Sequence, residues 1–392
     1  MKLALLVPGG VDRSGTDRVI PCLLWLIERL AAAGHEVHVF AAHQESSPAS
    51  WPLHGATVHN IGLRPRSLRM LGLIAAHHRL APFDVIHAFW SSLGAIGSVA
   101  AGLLRVPLVL TLPGGDVSRQ ADIGFGARLS WKGRLGLRLA ARGAAAISTP
   151  SQWMSDLAAT LGLDAAAVPL GVDLARWPPA PPRPRDPSQP FKLLHVASLN
   201  RVKDQPTLFE AVSRVHAAGV PTELVVAGCD TLDGEIQRLA ARLCLAVRFV
   251  GELRHAELRP WFDWADLLVM SSRHEAGPLV TLEAAVAGVP TVGTRVGHIA
   301  DLAPAAAVAV AVGDAPALAA AIATLAADEP RRLALAASAQ AFAVRHDADF
   351  TAQAFLATYL SLAANRRQDD EPKGLLQGTT GGTRRGSGRM RG

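Results

Sequence analysis

Tyrosine occurs once in this chain, at Tyr359, and aromatic residues of all kinds make up only 5% of its 392 residues. Core packing therefore falls to alanine, leucine and valine. No folded segment shows a basic stripe interleaved with aromatics, which argues against a nucleic-acid partner. Cysteine is equally sparse. Cys22, Cys229 and Cys244 are odd in number and lack C-x-x-C spacing, which argues against a disulfide framework and a cysteine-based zinc site and fits a reducing compartment. Long apolar runs are missing too: the stretch from Ser91 to Leu112 is broken by Arg105 and Pro107, so no membrane span is expected. No basic-then-apolar leader precedes the strand-like run at Leu3, and the expected location is cytoplasmic. The net charge of +6 is unevenly placed, because residues 366–392 hold seven basic and three acidic side chains and so carry +4 of it. That tail cannot bury a core and is expected to be disordered.

Apolar residues make up 49% of the sequence, enough for sizeable cores, and the length points to two domains. Short apolar runs alternate with helix-period segments, the pattern of parallel α/β units. In the first half strands are expected at Leu3–Val7, Glu36–Ala41, Thr57–Ile61, Val85–Ala88, Leu108–Leu112 and Ala146–Pro150. In the second they are expected at Lys192–Ala197, Glu223–Ala227, Val247–Val250, Leu267–Met270, Thr291–Thr294 and Ala307–Val312. Seven of the fourteen residues from Trp177 to Pro190 are proline, a stiff linker. The expected organisation is an N-terminal domain over 1–176, the linker 177–190, a C-terminal domain over 191–340, a closing helix over 341–365 and the tail 366–392. Both domains are doubly wound α/β sheets, so ligands belong at the carboxyl ends of their strands, in the cleft between them.

Gly9 and Gly10 follow the first strand and let backbone approach a ligand ahead of an amphipathic helix. A tight turn without a ligand explains them equally well. The segment SSRHEAGPLVTLEAAVAGVPTV, Ser271 to Val292, is more telling, with Glu275 and Glu283 separated by seven residues. Pro278 suits a helix start and Gly288 with Pro290 its end. Glu275 then lies in the loop entering the cleft and Glu283 on the helix, where a carboxylate can accept both hydroxyls of a ribose. Lys203, after the strand KLLHVASL, is placed to neutralise a diphosphate.

With these segments in order, the chain resembles glycosyltransferase family 4, retaining sugar-nucleotide transferases built from two Rossmann-like domains facing across a cleft, the GT-B fold. The resemblance covers roughly residues 1–364 and rests on PGGVDRSGTDR, GHEVHVF, DVIHAF, GGD, PLGVD, ASLNRVKDQPTLFEAV, VRFVG and the E-x(7)-E segment followed by A-x-G-x-P. It implies that Glu275 lies near the donor sugar, Glu283 binds the nucleotide ribose, and Lys203 binds the diphosphate with help from backbone at Gly9 and Gly10. Gly277, Pro278 and Leu279 would line the donor phosphates, and backbone around Arg248 and Val250 the nucleobase. Two departures stand out. The family commonly has G-R-L before its lysine, where this chain has Ala197-Ser198-Leu199; Arg201 either substitutes or points to solvent. Many members carry a histidine where Pro113 falls.

On the acceptor side, Asp116 either touches a hydroxyl or caps a helix, and His87 either lines the site or packs in the core. The one D-x-D match, Asp347-Ala348-Asp349, starts a helix and reads as an N-cap, so neither a metal nor any other cofactor is expected beyond the nucleotide-sugar co-substrate. The acceptor stays open among a glycan, a lipid-linked glycan and a small metabolite. Arg119 to Arg142 is strongly basic around Trp131, Leu135 and Leu139. It reads either as a peripheral contact with the inner face of a membrane or as a solvated face, and its glycines favour the latter. The competing functions are a sugar-nucleotide epimerase, a phosphorylase and a non-catalytic nucleotide-sugar binder.

Overall fold

The computed structural model describes residues 1–370; the rest of the expected basic tail, 371–392, lies outside the described residues. The first half runs β1 (Lys2–Val7), α1 (Pro21–Ala32), β2 (Glu36–Ala41), β3 (Ala49–Leu53), β4 (Ala56–Asn60), α2 (Arg66–Leu80) and β5 (Val85–Phe89). It continues through α3 (Ser91–Leu104), β6 (Leu108–Thr111), α4 (Trp131–Gly143), β7 (Ala146–Thr149), α5 (Gln152–Ala159) and β8 (Ala166–Ala167). The second half runs β9 (Phe191–Val196), α6 (Gln205–Ala217), β10 (Thr222–Ala227), α7 (Glu235–Arg242), β11 (Val247–Gly251), α8 (His255–Trp264) and β12 (Leu267–Met270). It ends with α9 (Leu279–Val286), β13 (Thr291–Thr294), α10 (Gly297–Leu302), β14 (Val308–Val310), α11 (Ala315–Ala327), α12 (Glu329–Arg345) and α13 (Ala348–Asp370).

The strands form two sheets, ordered β3-β4-β2-β1-β5-β6-β7-β8 and β11-β10-β9-β12-β13-β14. Every pairing is parallel except β3 with β4. All six residues of β1 are buried, as are all four of β12 and of β13, because helices cover both faces of a parallel sheet. Each of the twelve expected strands is present. The two additions are β3, an edge strand that tolerates Pro52, and the two-residue β8.

The proline-rich segment is laid along the second half of the molecule. Prolines donate no backbone N–H but keep their carbonyls, and side chains reach this stretch: Arg332 Nη2 donates to Arg183 O at 2.7 Å and Gln340 Nε2 to Ala180 O at 2.6 Å. The last helix returns to the first sheet and extends to Asp370, beyond the residue 365 expected from sequence. Phe355 and Tyr359 enter the core with Leu5, Val7 and Leu26. Arg29 on α1 pairs with Asp349 at the start of α13 and with Asp173. Asp347 Oδ1 accepts from Phe350 N at 2.9 Å, the N-cap expected for the D-x-D match.

Three histidines sit fully buried in these cores, and burial pushes His87 down to about 3 and His195 and His298 to about 4. An unfolded histidine takes up a proton near 6.5, so below that pH the unfolded chain binds protons that the native state refuses. The stability these neutral rings permit is complete above pH 6.5 and is lost as pH falls toward 4. Urea unfolding at pH 7.0, 6.0 and 5.0 is expected to show stability dropping by up to about 1.4 kcal/mol per pH unit for each histidine. A flat profile over that window would contradict it.

Candidate active site

Strand order reverses between β1 and β5 in the first sheet and between β9 and β12 in the second. Loops leaving such neighbours diverge and open a crevice at the carboxyl ends of the strands. After β9, Asn200 shapes the turn: its Oδ1 accepts from the N–H groups of Val202 and Lys203, both at 3.1 Å. Ser271 Oγ donates to Lys203 O at 2.7 Å. With its backbone held from both sides, Lys203 reaches across to the loop after β12, where Nζ meets Glu275 Oε1 at 2.5 Å. Ser272 Oγ donates to the same oxygen at 2.6 Å. Charge-assisted bonds of this kind are the strong ones, and Glu275 is mostly shielded from water.

The loop then passes Gly277, where a Cβ would fall 2.5 Å from Pro150 Cβ and 3.0 Å from His298 Nε2. Pro278 is the N-cap of α9 and Leu279 its first residue. Glu283, one turn along, is only 3% exposed, and its Oε1 meets His255 Nε2 at 2.6 Å. His255 opens α8 and packs between Trp25 and Trp177, with ring centroids 5.4 and 4.8 Å away. No sequence signal marked His255, because it reaches Glu283 from a separate helix. A cavity of about 570 Å³ adjoins it, walled by Thr16, Val19 and Trp25 from the first half and by Trp177, Arg254 and His255 from the second.

The other candidates divide. Gly10, at φ +79°, lies so close to Ile20 that a Cβ would fall 2.5 Å from its Cγ1. The amides of Gly10 and Val11 donate to Gln44 Oε1 at 2.6 and 3.0 Å, so this loop is braced from within. Gly9 sits beside Gln44 and the carbonyl of His43. Ser198, in the place of the family arginine, accepts from the Cys229 thiol at 3.2 Å. Arg201 is exposed and has no ion pair among the described residues. Arg248 is also exposed and its guanidinium lies 4.8 Å from the Trp261 ring, while Val250 is half-buried on the same strand.

His87 does not reach the cleft. It is 1% exposed, with Nδ1 2.5 Å from Tyr359 Oη and Nε2 2.7 Å from Thr111 Oγ1. Both ring nitrogens are satisfied, so it is a core residue that receives α13. Asp116 caps α3, its Oδ1 accepting from the Ser91 amide and hydroxyl at 2.7 Å each. Its Oδ2 is buried without a hydrogen-bond partner among the described residues, beside a cavity of about 350 Å³ lined also by Pro8, Trp90 and Gly115. Burial holds this carboxyl above the usual carboxylate range.

Contacts across the cleft fix the Glu275 loop. Arg273 pairs with Asp122 at 2.5 Å, Gln120 Nε2 donates to Arg273 O at 3.0 Å, and Ser151 Oγ donates to Ala276 O. Asp301 on α10 accepts from the amides of Gln152 and Trp153 at 2.8 Å each, capping α5 of the opposite half.

The sequence matches the model of a glycosyl transferase 4-like domain over residues 19–171 and that of glycosyl transferases group 1 over residues 190–328. It is 29% identical over 279 residues to the glycogen synthase of Mycobacterium tuberculosis, covering 70% of this chain and 65% of that one; the chain thus spans just under two thirds of that relative. It is 30% identical over 393 residues to D-inositol 3-phosphate glycosyltransferase 1 of Catenulispora acidiphila, covering 88% of this chain and 89% of the relative. The crystal structure of HepE from Anabaena in complex with UDP and glucose superposes with a TM-score of 0.70 at 21% identity, over 92% of this chain and all of that one. The chain belongs to the GT-B glycosyltransferases that couple a glycosyl transferase 4-like domain to a glycosyl transferases group 1 domain.

Proposed function

We propose that this protein transfers a sugar from a nucleoside-diphosphate sugar to an acceptor hydroxyl with retention of configuration. The observation that carries this reading is the Lys203–Glu275 pair at the carboxyl ends of neighbouring strands, with Glu283 one helical turn further along the same segment. A diphosphate entering the crevice gives the Lys203 ammonium a second anionic partner and frees Glu275 to face the sugar. The bond between the anomeric carbon and the diphosphate breaks and the diphosphate keeps the electron pair. The acceptor oxygen attacks from the same face, and its proton passes to the leaving phosphate. The protein supplies positioning and charge stabilisation. The UDP and glucose in HepE support a nucleoside diphosphate and a hexose as occupants. The relatives' names span a polymer and an inositol phosphate, so the acceptor is a glycan, a lipid-linked glycan or a small polyol, received beside Asp116 Oδ2.

The two glutamates separate by kinetics. Ribose keeps its hydroxyls throughout, so Glu283 contributes to ground and transition states alike. Glu283→Gln is expected to weaken UDP and donor binding with a smaller change in kcat. Glu275→Gln is expected to leave UDP affinity nearly unchanged and lower kcat about 10²-fold or more. Equal loss of nucleotide binding in both, with kcat retained, would end this division of roles.

We also propose that turnover needs no metal, since Lys203 stands where a divalent cation would otherwise meet the diphosphate. Donor turnover is expected to survive EDTA; loss of activity restored by magnesium or manganese would refute the assignment.

No helix among the described residues is long and apolar enough to cross a membrane. A peripheral contact with a membrane surface is supported by α4. This helix forms despite Gly133 and Gly136, and it exposes Trp131, Leu135 and Leu139 along one stripe among Lys132, Arg134 and Arg138. Such a face suits an anionic lipid surface. The wild type is expected to co-sediment with vesicles rich in anionic phospholipid, and the Trp131→Ser/Leu135→Ser variant to lose most of that binding. Equal sedimentation of both would show a merely solvated face.

A further inference from the structure

Far from the crevice, three histidines converge between the first sheet and α2. His38 lies on β2, His59 on β4 and His77 in the last turn of α2. The carboxyl ends of the strands face the cleft, and α2 runs back against them, so its last turn lies at the opposite end of the sheet. The potential ligand nitrogens of all three rings lie within 4.8 Å of one another. His38 Nδ1 and His59 Nε2 are 2.9 Å apart, and the His59 and His77 ring centroids are 4.4 Å apart. His38 is 9% and His59 5% exposed, while His77 is half-buried and leaves a path to solvent.

The surroundings are those of a ligand set. The outer nitrogen of His38, Nε2, lies 2.8 Å from Glu36 Oε1, and that of His59, Nδ1, lies 3.0 Å from Ser50 Oγ. A metal-bound histidine characteristically donates its second N–H to a carboxylate or another oxygen, which fixes the ring and sharpens its basicity. The ring of His77 has no hydrogen-bond partner among the described residues, so its lone pair is uncommitted. One cation stands close by: Lys2 Nζ is 3.3 Å from Glu36 Oε1 and 3.4 Å from His77 O, and it is balanced by Glu36.

We propose that His38, His59 and His77 form a binding site for one zinc ion, which staples α2 to the neighbouring strands β2 and β4. Three imidazoles with an open fourth position are a zinc-type ligand set, and nitrogen donors exclude magnesium and calcium as natural occupants. At Zn–N distances of about 2.0–2.1 Å, tetrahedral ligand nitrogens stand roughly 3.3–3.4 Å apart. His38 and His59 therefore separate by a few tenths of an ångström when the ion enters. Protons balance without release: the proton between the two rings leaves His59 Nε2 for its Nδ1, and Ser50 turns from donor to acceptor. The ion occupies a structural position remote from Lys203 and Glu275, so it takes no part in sugar transfer.

The test uses full-length protein without a histidine tag, stripped by chelator and titrated with zinc chloride in a calorimeter. One equivalent is expected to bind, with a rise of several degrees in the thermal midpoint. Cobalt(II) is expected to give the visible absorption bands of a low-coordinate nitrogen site. His77→Ala, at a half-buried helix position where folding should persist, is expected to weaken zinc binding at least tenfold and abolish the cobalt bands. His216→Ala, at an exposed histidine elsewhere, is expected to change neither. Substoichiometric binding by wild-type protein, or His77→Ala binding zinc as the wild type does, would show a hydrogen-bonded histidine cluster and nothing more.

Discussion

An ammonium and a carboxylate 2.5 Å apart, on loops from neighbouring parallel strands, set the terms for the rest of this molecule. Lys203 and Glu275 meet only because β9 and β12 are adjacent while 70 residues of chain separate the strands in sequence. That adjacency comes from the reversal of winding at the sheet's switch point. The pair is then tightened by local devices, the Asn200 turn on one side and the Ser272 hydroxyl on the other. Removing one partner from a charged pair in a sheltered crevice is costly, and polar groups from the opposite half hold the loop that carries Glu275 through Arg273 and Ala276.

The second organising fact is the return of the chain. After building its second sheet, the polypeptide comes back with α13 and contributes Phe355 and Tyr359 to the core of the first. The only tyrosine in the sequence closes onto His87, a buried ring whose other nitrogen is held by Thr111. The proline-rich crossing adds to this tie by lying against the second half with its carbonyls engaged. The two halves are thus joined by two crossings, and each makes its own side-chain contacts.

Much of the fold was legible because parallel strands covered on both faces leave continuous apolar runs in the sequence. Edge strand β3 was not, since Pro52 and its polar neighbours break that pattern, and β8 is too short to leave one. Glu275 and Glu283 were legible together because both lie on one loop-helix segment whose start and stop are written in Pro278, Gly288 and Pro290. His255, Arg273 and Asp301 were not, since each acts on a residue from a distant stretch of chain. His87 shows why position alone misleads: a strand-end histidine fits a cleft or a core, and the residue that decides is Tyr359, 272 positions away. The histidines at 38, 59 and 77 follow no motif spacing, and only the register of β2 with β4 and the course of α2 bring them together.

The carboxylate of Asp301 caps a helix that belongs to the other half of the molecule. Parting the halves leaves the Gln152 and Trp153 amides to be satisfied by water, while Ser151, the N-cap of α5, keeps its bond from Met154 N. Helix N-caps are worth about 0.5–2 kcal/mol, an energy of the order of thermal motion. The Asp301 contact adds to the others that bridge the cleft, Arg273 with Asp122, Gln120 with the Arg273 carbonyl and Ser151 with the Ala276 carbonyl. Opening the crevice therefore exposes a helix N-terminus on one half and a carboxylate on the other, and water must solvate both.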